Sequence, residues 1–312
     1  MADVTGSASA TVGIVVVTWN SAEVLEECLE SLSDACAGIG SWAVVVADND
    51  SSDETVAIAR AAPGVTVVRL GGNFGYAAGI NAGVAALEPS DAILVLNPDI
   101  RLAPGSVRKL LDAADVAPVG ITVPRLYFED GTTILSLRRD PSVTRVLGET
   151  VLGGDRSGRI PWLGELVTDP ERYEQSGVAD WATGAAMLIT SKCWDSVGEW
   201  DESYFLYSEE TDYAIRARRA GFRLEYVPDA TAVHIGGDQG VSPRLWTMSV
   251  LNRVRVYARY HGRVHTAAFR AAIVLNEATR AAVGRERSRA ALRALLRKSE
   301  RPPELTEPLT RS

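Results

Sequence analysis

Apolar and polar positions in the first 125 residues alternate between two periods. Residues 12–18 form a nearly unbroken apolar run, as a strand buried on both faces requires. Apolar residues then recur at helical spacing as Val24, Leu25, Cys28, Leu29 and Leu32, with glutamates 23, 26, 27 and 30 on the polar side. Asn20 with Glu23 is a candidate reciprocal cap for that helix, and Gly38 is its stop. The same alternation predicts strands at 42–47, 65–70, 92–96 and 120–126. Helices are predicted from 51–54, over 74–87, and from Pro104 and Ser106 to 114.

Strands and helices joined by short connections build an α/β, Rossmann-like sheet, mostly parallel, with helices on both faces. Ligands of such sheets sit at the carboxyl ends of the strands. Those ends read Thr18-Trp19-Asn20, Asp48-Asn49-Asp50-Ser51-Ser52-Asp53, Gly71-Gly72-Asn73 and Asn97-Pro98-Asp99, all polar and chemically useful. Periodicity weakens over 127–180, where Gly and Pro are frequent and Arg138-Arg139 stands out; this reads as a long, partly irregular insert that shapes a pocket. Regular structure returns with a strand at 182–190, a helix at 208–220 closed by Gly221, and strands near 222–227 and 231–235.

Charge divides the chain. Of 312 residues, 46% are hydrophobic and 23% charged, which excludes a wholly disordered or fibrous protein. The net charge of −8 conceals an acidic body and a basic end: residues 244–298 hold 13 Lys+Arg against Glu277 and Glu286. The expected organisation is a catalytic domain at 1–243, split into halves at 12–125 and 126–243. A basic helical extension follows at 244–298, then a loose tail at 299–312. The extension suits an anionic membrane surface. No aromatic or base-reading pattern accompanies the arginines, so nucleic acid is not an expected partner. No apolar run is long enough to cross a bilayer, and the first seventeen residues lack the basic start of a secretory signal. Cys28, Cys36 and Cys193 are odd in number and without metal-site spacing, which points to a reducing compartment.

Three features carry candidate chemistry. Small residues from Gly71 to Gly83 allow either close approach of backbone to a phosphate or close packing of a helix. They do not form a dinucleotide fingerprint, and the turn after the first strand, Thr18-Trp19-Asn20-Ser21, lacks one too, which argues against an oxidoreductase. Asp99 after a buried strand suits a hard divalent cation or a turn, and His234 ends a late strand. Glu209, Glu210 and Asp212 open a helix, where the macrodipole favours negative charge. Helical spacing puts Glu209, Asp212, Tyr213 and Arg216 on one face and leaves Glu210 pointing elsewhere, as a general base would.

In order along the chain, these segments resemble the inverting glycosyltransferases of family 2, with the GT-A fold, over residues 12–240. Val15-Val16-Val17-Thr18-Trp19-Asn20 is similar to the family's opening strand, and Asp48-Asn49-Asp50-Ser51-Ser52-Asp53 to its nucleotide motif. The stretch from Asn73 to Asn81 resembles the turn beside the nucleotide, and Asn97-Pro98-Asp99 the D-x-D metal motif. Trp181-Ala182-Thr183-Gly184-Ala185 and the acidic segment from Phe205 to Asp212 resemble the acceptor-side motifs. The resemblance implies nucleotide contacts from Thr18, Asn20, Asp48, Asn73, Gly75, Asn81 and Asn97. It implies a manganese or magnesium ion on Asp99 and His234, and Glu210 as base. Acceptor contacts are implied for Trp181, Gly184, Arg138, Arg139, Glu209 and Asp212.

Two departures stand out: Asn97 replaces the first Asp of D-x-D, and Glu210 replaces the usual base aspartate. Within the family, Asn97-Pro98-Asp99 and the insert from Asp130-Gly131-Thr132 through Ser136-Leu137-Arg138-Arg139-Asp140-Pro141-Ser142 resemble bacterial rhamnosyltransferases acting on lipid-diphosphate-linked sugars. That implies deoxythymidine-diphosphate rhamnose as donor, with uridine-diphosphate sugars next. It also implies a glycan or lipid-linked acceptor, work at the inner face of the cytoplasmic membrane, and room for a homodimer. The alternative is a nucleotide-sugar-binding module without catalysis.

Overall fold

The computed structural model describes residues 10–236 and 242–306; the expectations for the first nine residues and for 307–312 of the tail lie outside them. Its first half runs β1 (Thr11–Thr18), α1 (Leu25–Ala35), β2 (Ser41–Asp48), α2 (Thr55–Ala61), β3 (Val65–Arg69), α3 (Tyr76–Ala85) and β4 (Ala92–Leu96). Next come β5 (Ile100–Leu102), α4 (Ser106–Ala114) and β6 (Val119–Tyr127). The insert holds β7 (Leu137–Arg138), α5 (Val143–Leu152), α6 (Gly154–Gly158), β8 (Gly177–Ala179) and β9 (Trp181–Ala182). The chain then forms β10 (Ala186–Thr190), α7 (Ser191–Val197), α8 (Glu209–Arg219) and β11 (Arg223–His234). It ends in α9 (Pro243–Tyr260), α10 (Arg263–Ala282) and α11 (Glu286–Leu296).

The main sheet has the order β3-β2-β1-β4-β10-β6-β11-β5, with β8 beside β11, and β7 pairs with β9 separately. Strands β3, β2, β1 and β4 are mutually parallel, as are β6 and β11, while β10 enters antiparallel between β4 and β6. Both faces are covered. Val12, Ile14 and Val16 of β1 join a core with Leu25, Leu32, Leu94 and Leu110; Val15 and Val17 join another with Ile80, Met187 and Trp200. The continuous apolar run is thus two alternating half-runs. The small residues of α3 serve packing: a Cβ on Gly79 or Gly83 would stand 2.4 Å from Val17 or Val15.

Several expectations shift. Helix α1 starts at Leu25, not at Asn20, whose side chain instead accepts a bond from the Ser52 N–H at 2.8 Å and ties the loops after β1 and β2 together. The two strands read near 222–235 are one, β11, with a register irregularity between Val227 and Thr231. Strand β5 was not anticipated; it pairs with the end of β11, where His234 lies opposite Ile100.

The basic segment is not an appendage. Val146 of α5 shares a third core with Val250, Val254, Phe269, Ile273 and Leu295. From α9, Arg253 pairs with Glu149 and Glu165 of the insert, at 3.2 and 2.6 Å, and Arg259 pairs with Asp201. Two of the segment's basic residues, Arg253 and Arg259, are therefore neutralised by the body, and a boundary at 243 cuts through packed structure. Residues 298–306 include short 3-10 turns at Lys298–Glu300 and Pro303–Leu305.

Candidate active site

At the end of β2, the buried Asp48 carboxylate accepts bonds from Thr18 Oγ1 at 3.0 Å, from the Ser51 N–H at 3.0 Å and from the Ser51 hydroxyl. Satisfied from three sides, it is held rigidly at the carboxyl edge of the sheet. Asn49 Oδ1 accepts from the Phe74 N–H at 3.1 Å, and Asn73 Oδ1 from the Gly75 N–H at 3.1 Å, so the loop into α3 is fixed to the β2 loop. Gly75 has φ +91°, and a Cβ there would stand 2.1 Å from the Phe205 carbonyl oxygen. Its neighbour Tyr76 donates its N–H to that oxygen at 2.8 Å.

Asn97, Asp99 and His234 line one cavity of about 420 Å³, together with Tyr76, Gly184, Glu209 and Glu210. Asp99 Oδ2 lies 3.2 Å from His234 Nε2, while Asp99 Oδ1 is buried without a hydrogen-bond partner. Gly236 closes against the carboxylate, for a Cβ there would be 2.2 Å from Asp99 Oδ2. An orphaned carboxylate oxygen beside an imidazole is a donor set that suits manganese or magnesium. No group of three or more His, Cys, Asp or Glu side chains capable of holding a metal occurs among the described residues. Any cation here must draw further ligands from a bound diphosphate and water.

A second cavity, of about 290 Å³, lies toward the insert and α9, lined by Trp181, Trp246, Arg253, Glu149 and Glu165. Arg138, Thr183, Tyr207 and Glu210 border both cavities. Burial lifts the Glu210 carboxyl to about 7, against the lowering effects of backbone N–H groups and Arg138. Burial, then the charge of Glu210, pushes Glu209 well above the usual carboxylate range, and its Oε2 has no hydrogen-bond partner. A carboxyl poised near neutrality between two cavities can take a proton from a group in one while a bond breaks in the other.

Residues 13–163 match the family model described as Glycosyl transferase family 2. The N-acetylglucosaminyl-diphospho-decaprenol L-rhamnosyltransferase of Mycobacterium tuberculosis is 36% identical over 234 residues, covering 71% of this chain and 75% of that protein. The chain belongs to glycosyl transferase family 2. It is a glycosyltransferase. Rhamnosyltransferase WbbL of Escherichia coli is 26% identical over 229 residues, 71% of this chain and 82% of that one. Among solved structures, the mannosyltransferase PcManGT from Pyrobaculum calidifontis, in complex with GDP-Man and Mn2+, superposes with a TM-score of 0.57 at 14% identity, covering 96% of this chain and 83% of that one. GalNAc-T7 with UDP, GalNAc and Mn2+ gives 0.55 at 17% identity, over 80% of this chain but 47% of that one. Both likenesses are of the GT-A fold.

Some side chains assigned from sequence are engaged elsewhere in this glycosyltransferase. Asn81 is buried and braces the segment before α8: its Nδ2 donates to the Trp200 carbonyl at 2.9 Å and to Glu202 at 3.0 Å, and its Oδ1 accepts from the Trp200 N–H at 2.9 Å. Gly75 meets the Phe205 backbone, as the distance above requires. Arg139 turns away from both cavities and donates to the carbonyls of Gly158 and Gly164, at 3.0 and 2.9 Å. Asp212 is fully buried and binds Arg216 at 2.8 Å and the Tyr260 hydroxyl at 2.6 Å. Glu209 joins Glu210 in the first cavity rather than Asp212 in that network. Trp181 does line the second cavity, its indole N–H donating to the Arg139 carbonyl at 3.0 Å, and Gly184 lines the first. The residues missed are Tyr76, Tyr207 and the α9 group Trp246 and Arg253. Tyr76 stood inside a quoted motif; the α9 pair stood in a segment read as a separate basic surface.

Proposed function

We propose that the enzyme is an inverting, metal-dependent glycosyltransferase that moves L-rhamnose from deoxythymidine-diphosphate rhamnose onto a lipid-diphosphate-linked sugar for the cell envelope. The observation that carries this reading is Glu210 at the border of the two cavities, with its carboxyl lifted to about 7. The first cavity, with Asp99 and His234, suits the donor's diphosphate and sugar, and the second suits the acceptor. Similarity to the two rhamnosyltransferases, one of them an N-acetylglucosaminyl-diphospho-decaprenol L-rhamnosyltransferase, supports the choice of sugar and the class of acceptor.

In the reaction Glu210 accepts the proton of the acceptor hydroxyl as that oxygen bonds to the anomeric carbon. The bond from that carbon to the diphosphate oxygen breaks on the opposite face, which inverts the configuration. Asp99 and His234 would hold the divalent cation, and Asn97 leaves that site one negative charge poorer than D-x-D. When bound, the cation offsets charge developing on the departing diphosphate. Thr18 and Asp48 present the edge for the nucleobase, with Asn20 and Asn73 shaping the loops beside it. Arg138, stacked 5.8 Å from the Trp181 ring centroid, supplies positive charge where the cavities meet.

Work at the inner face of the cytoplasmic membrane follows from a lipid-linked acceptor. Exposed Arg263, Arg285, Arg289, Arg293 and Arg297 support docking on anionic lipid, as do exposed Val151 and Trp162 of the insert. Among the described residues no helix is long and apolar enough to cross a membrane. The test is a panel of nucleotide sugars with manganese and a synthetic N-acetylglucosaminyl-diphospho-polyprenol, with the product's anomeric configuration read by NMR. Turnover with deoxythymidine-diphosphate rhamnose and inversion are expected. Transfer of another sugar, or retention, overturns the respective part.

A further inference from the structure

The backbone just before α8 is strained, and one side chain from α9 holds it. Phe205 sits at φ 62°, ψ −63°, the rare form of the γ-turn, closed by a bond from the Leu206 N–H to the Tyr204 carbonyl at 2.8 Å. Tyr207 and Ser208 follow at φ 69° and 74°. For bulky residues each such conformation is strained and persists only when the surroundings over-determine it. Ser208 gives α8 no side-chain cap, so the turn rather than a cap decides where Glu209 and Glu210 emerge.

Two contacts over-determine the turn. On the nucleotide side, the Tyr76 N–H binds the Phe205 carbonyl at 2.8 Å. On the other side, Asn252 Nδ2 donates to the carbonyls of Tyr204, Leu206 and Tyr207 at 2.7, 3.0 and 3.1 Å. An amide has two N–H groups, so three acceptors share them and at least one bond is bifurcated. The orientation is fixed, since a flipped amide would set its oxygen against three carbonyl oxygens. Asn252 is 1% exposed, and its own Oδ1 is buried with no hydrogen-bond partner. An orphaned buried acceptor is destabilising, a cost that an apolar side chain of the same size would avoid. As core filling Asn252 is a poor choice; as a clamp on three carbonyls it is a good one.

We infer that Asn252 is a positioning residue for the reaction: through the turn at 204–208 it sets where the Glu210 carboxylate stands between the two cavities. The inference rests on Glu210 being the base. It also gives α9 a role in catalysis, although α9 lies beyond the residues matched by the family model. A misplacement near 1 Å can lower a rate ~10²-fold, so kcat should carry the effect. Donor KM should move far less, because Thr18 and Asp48 lie on other elements and only Leu206 and Tyr207 of the turn line the donor cavity.

The experiment compares Asn252→Asp and Asn252→Leu with wild type in the full chain. Asn276→Leu on α10 serves as the control for removing a buried amide, since that amide donates to Thr150 Oγ1 at 2.9 Å, away from the turn. Transfer is measured with deoxythymidine-diphosphate rhamnose and the synthetic acceptor, and amide hydrogen exchange is followed at 205–208. The expected result is a ~10²-fold fall in kcat with donor KM within about 3-fold, and faster exchange at 205–208, in both Asn252 variants but not in Asn276→Leu. Wild-type kcat in the folded Asn252 variants, or unchanged exchange at 205–208, overturns the inference. Glu210→Gln is run in parallel: if it turns over normally, the base assignment itself has failed. If it is inactive while the Asn252 variants are normal, only the clamp has failed.

Discussion

Asp99 and His234 are brought within 3.2 Å of each other by the antiparallel pairing of β5 with the last residues of β11. Neither strand end alone makes a ligand site; the register that sets His234 opposite Ile100 does. Asp99→Ala and His234→Ala should each weaken manganese binding by at least 10-fold in the presence of nucleotide diphosphate, read by calorimetry. Transfer should be lost in excess chelator. With two protein ligands the metal also needs the diphosphate, so little manganese should bind to the enzyme alone. Chelator-resistant turnover would refute the proposal.

Glu210→Gln should lower kcat by ~10²–10⁴-fold, the usual range for loss of a positioned base, while nucleotide binding stays unchanged. For wild type, kcat should rise with pH through about 7, as Glu210 gives up its proton. Glu209, Arg138 and Tyr76 face the same space and tune that limb. The limb should vanish in the Gln variant.

Stability should move the other way. The Glu210 carboxyl is raised from its ordinary 4.5 to about 7 in the folded chain, so between those values the folded state holds a proton that the unfolded state releases. Its contribution therefore declines as pH rises from about 4.5 to 7, and the deficit is complete above 7. Glu210→Gln should be more stable than wild type at pH 8, by roughly 1–3 kcal/mol with a correspondingly higher melting temperature, and show little gain at pH 4. A lower melting temperature at pH 8 would show that the carboxylate is better solvated than its burial implies.

The strands of the first half were legible because β1, β4 and most of β2 are buried on both faces and announce themselves as apolar runs. The motif residues at the strand ends were legible for the same reason: their positions follow from where the runs stop. What sequence could not supply is partner choice. Asn81 and Asp212 have the right residue types near the right motifs, yet Asn81 satisfies the Trp200 backbone and Asp212 satisfies Arg216 and Tyr260. The packing of the basic stretch was illegible for a related reason. Charge counts do not reveal that Arg253 faces Glu149 and Glu165, because those partners are distant in the chain.

Gly75→Ala should damage the enzyme twice. An alanine at φ +91° is strained, and its Cβ would overlap the Phe205 carbonyl oxygen that Tyr76 binds. A loss of at least ~2 kcal/mol in denaturant unfolding is expected, from conformational strain plus the steric clash. Turnover of the folded fraction should also fall, since the turn before Glu210 is displaced. Wild-type stability would mean that the loop and the turn separate without loss.

Membrane docking has to be tested without truncation, because removing residues from 244 onward also removes Asn252, Arg253 and the core around Phe269. Charge reversal on the surface avoids this. Arg285, Arg293 and Arg297 are exposed on or beside α11, and replacing all three with Glu leaves the buried α9 contacts intact. Near an anionic surface each basic residue contributes ~1 kcal/mol, so the triple variant should bind vesicles containing phosphatidylglycerol at least 10-fold more weakly. Trp162, 65% exposed, and Val151, 80% exposed, supply the apolar counterpart, and serine at both should weaken recovery further. Flotation with neutral and anionic vesicles at low and physiological salt separates the two contributions, since salt screens only the first. Turnover on a water-soluble acceptor should be normal in every variant. Equal recovery of wild type with neutral and anionic vesicles would refute electrostatic docking.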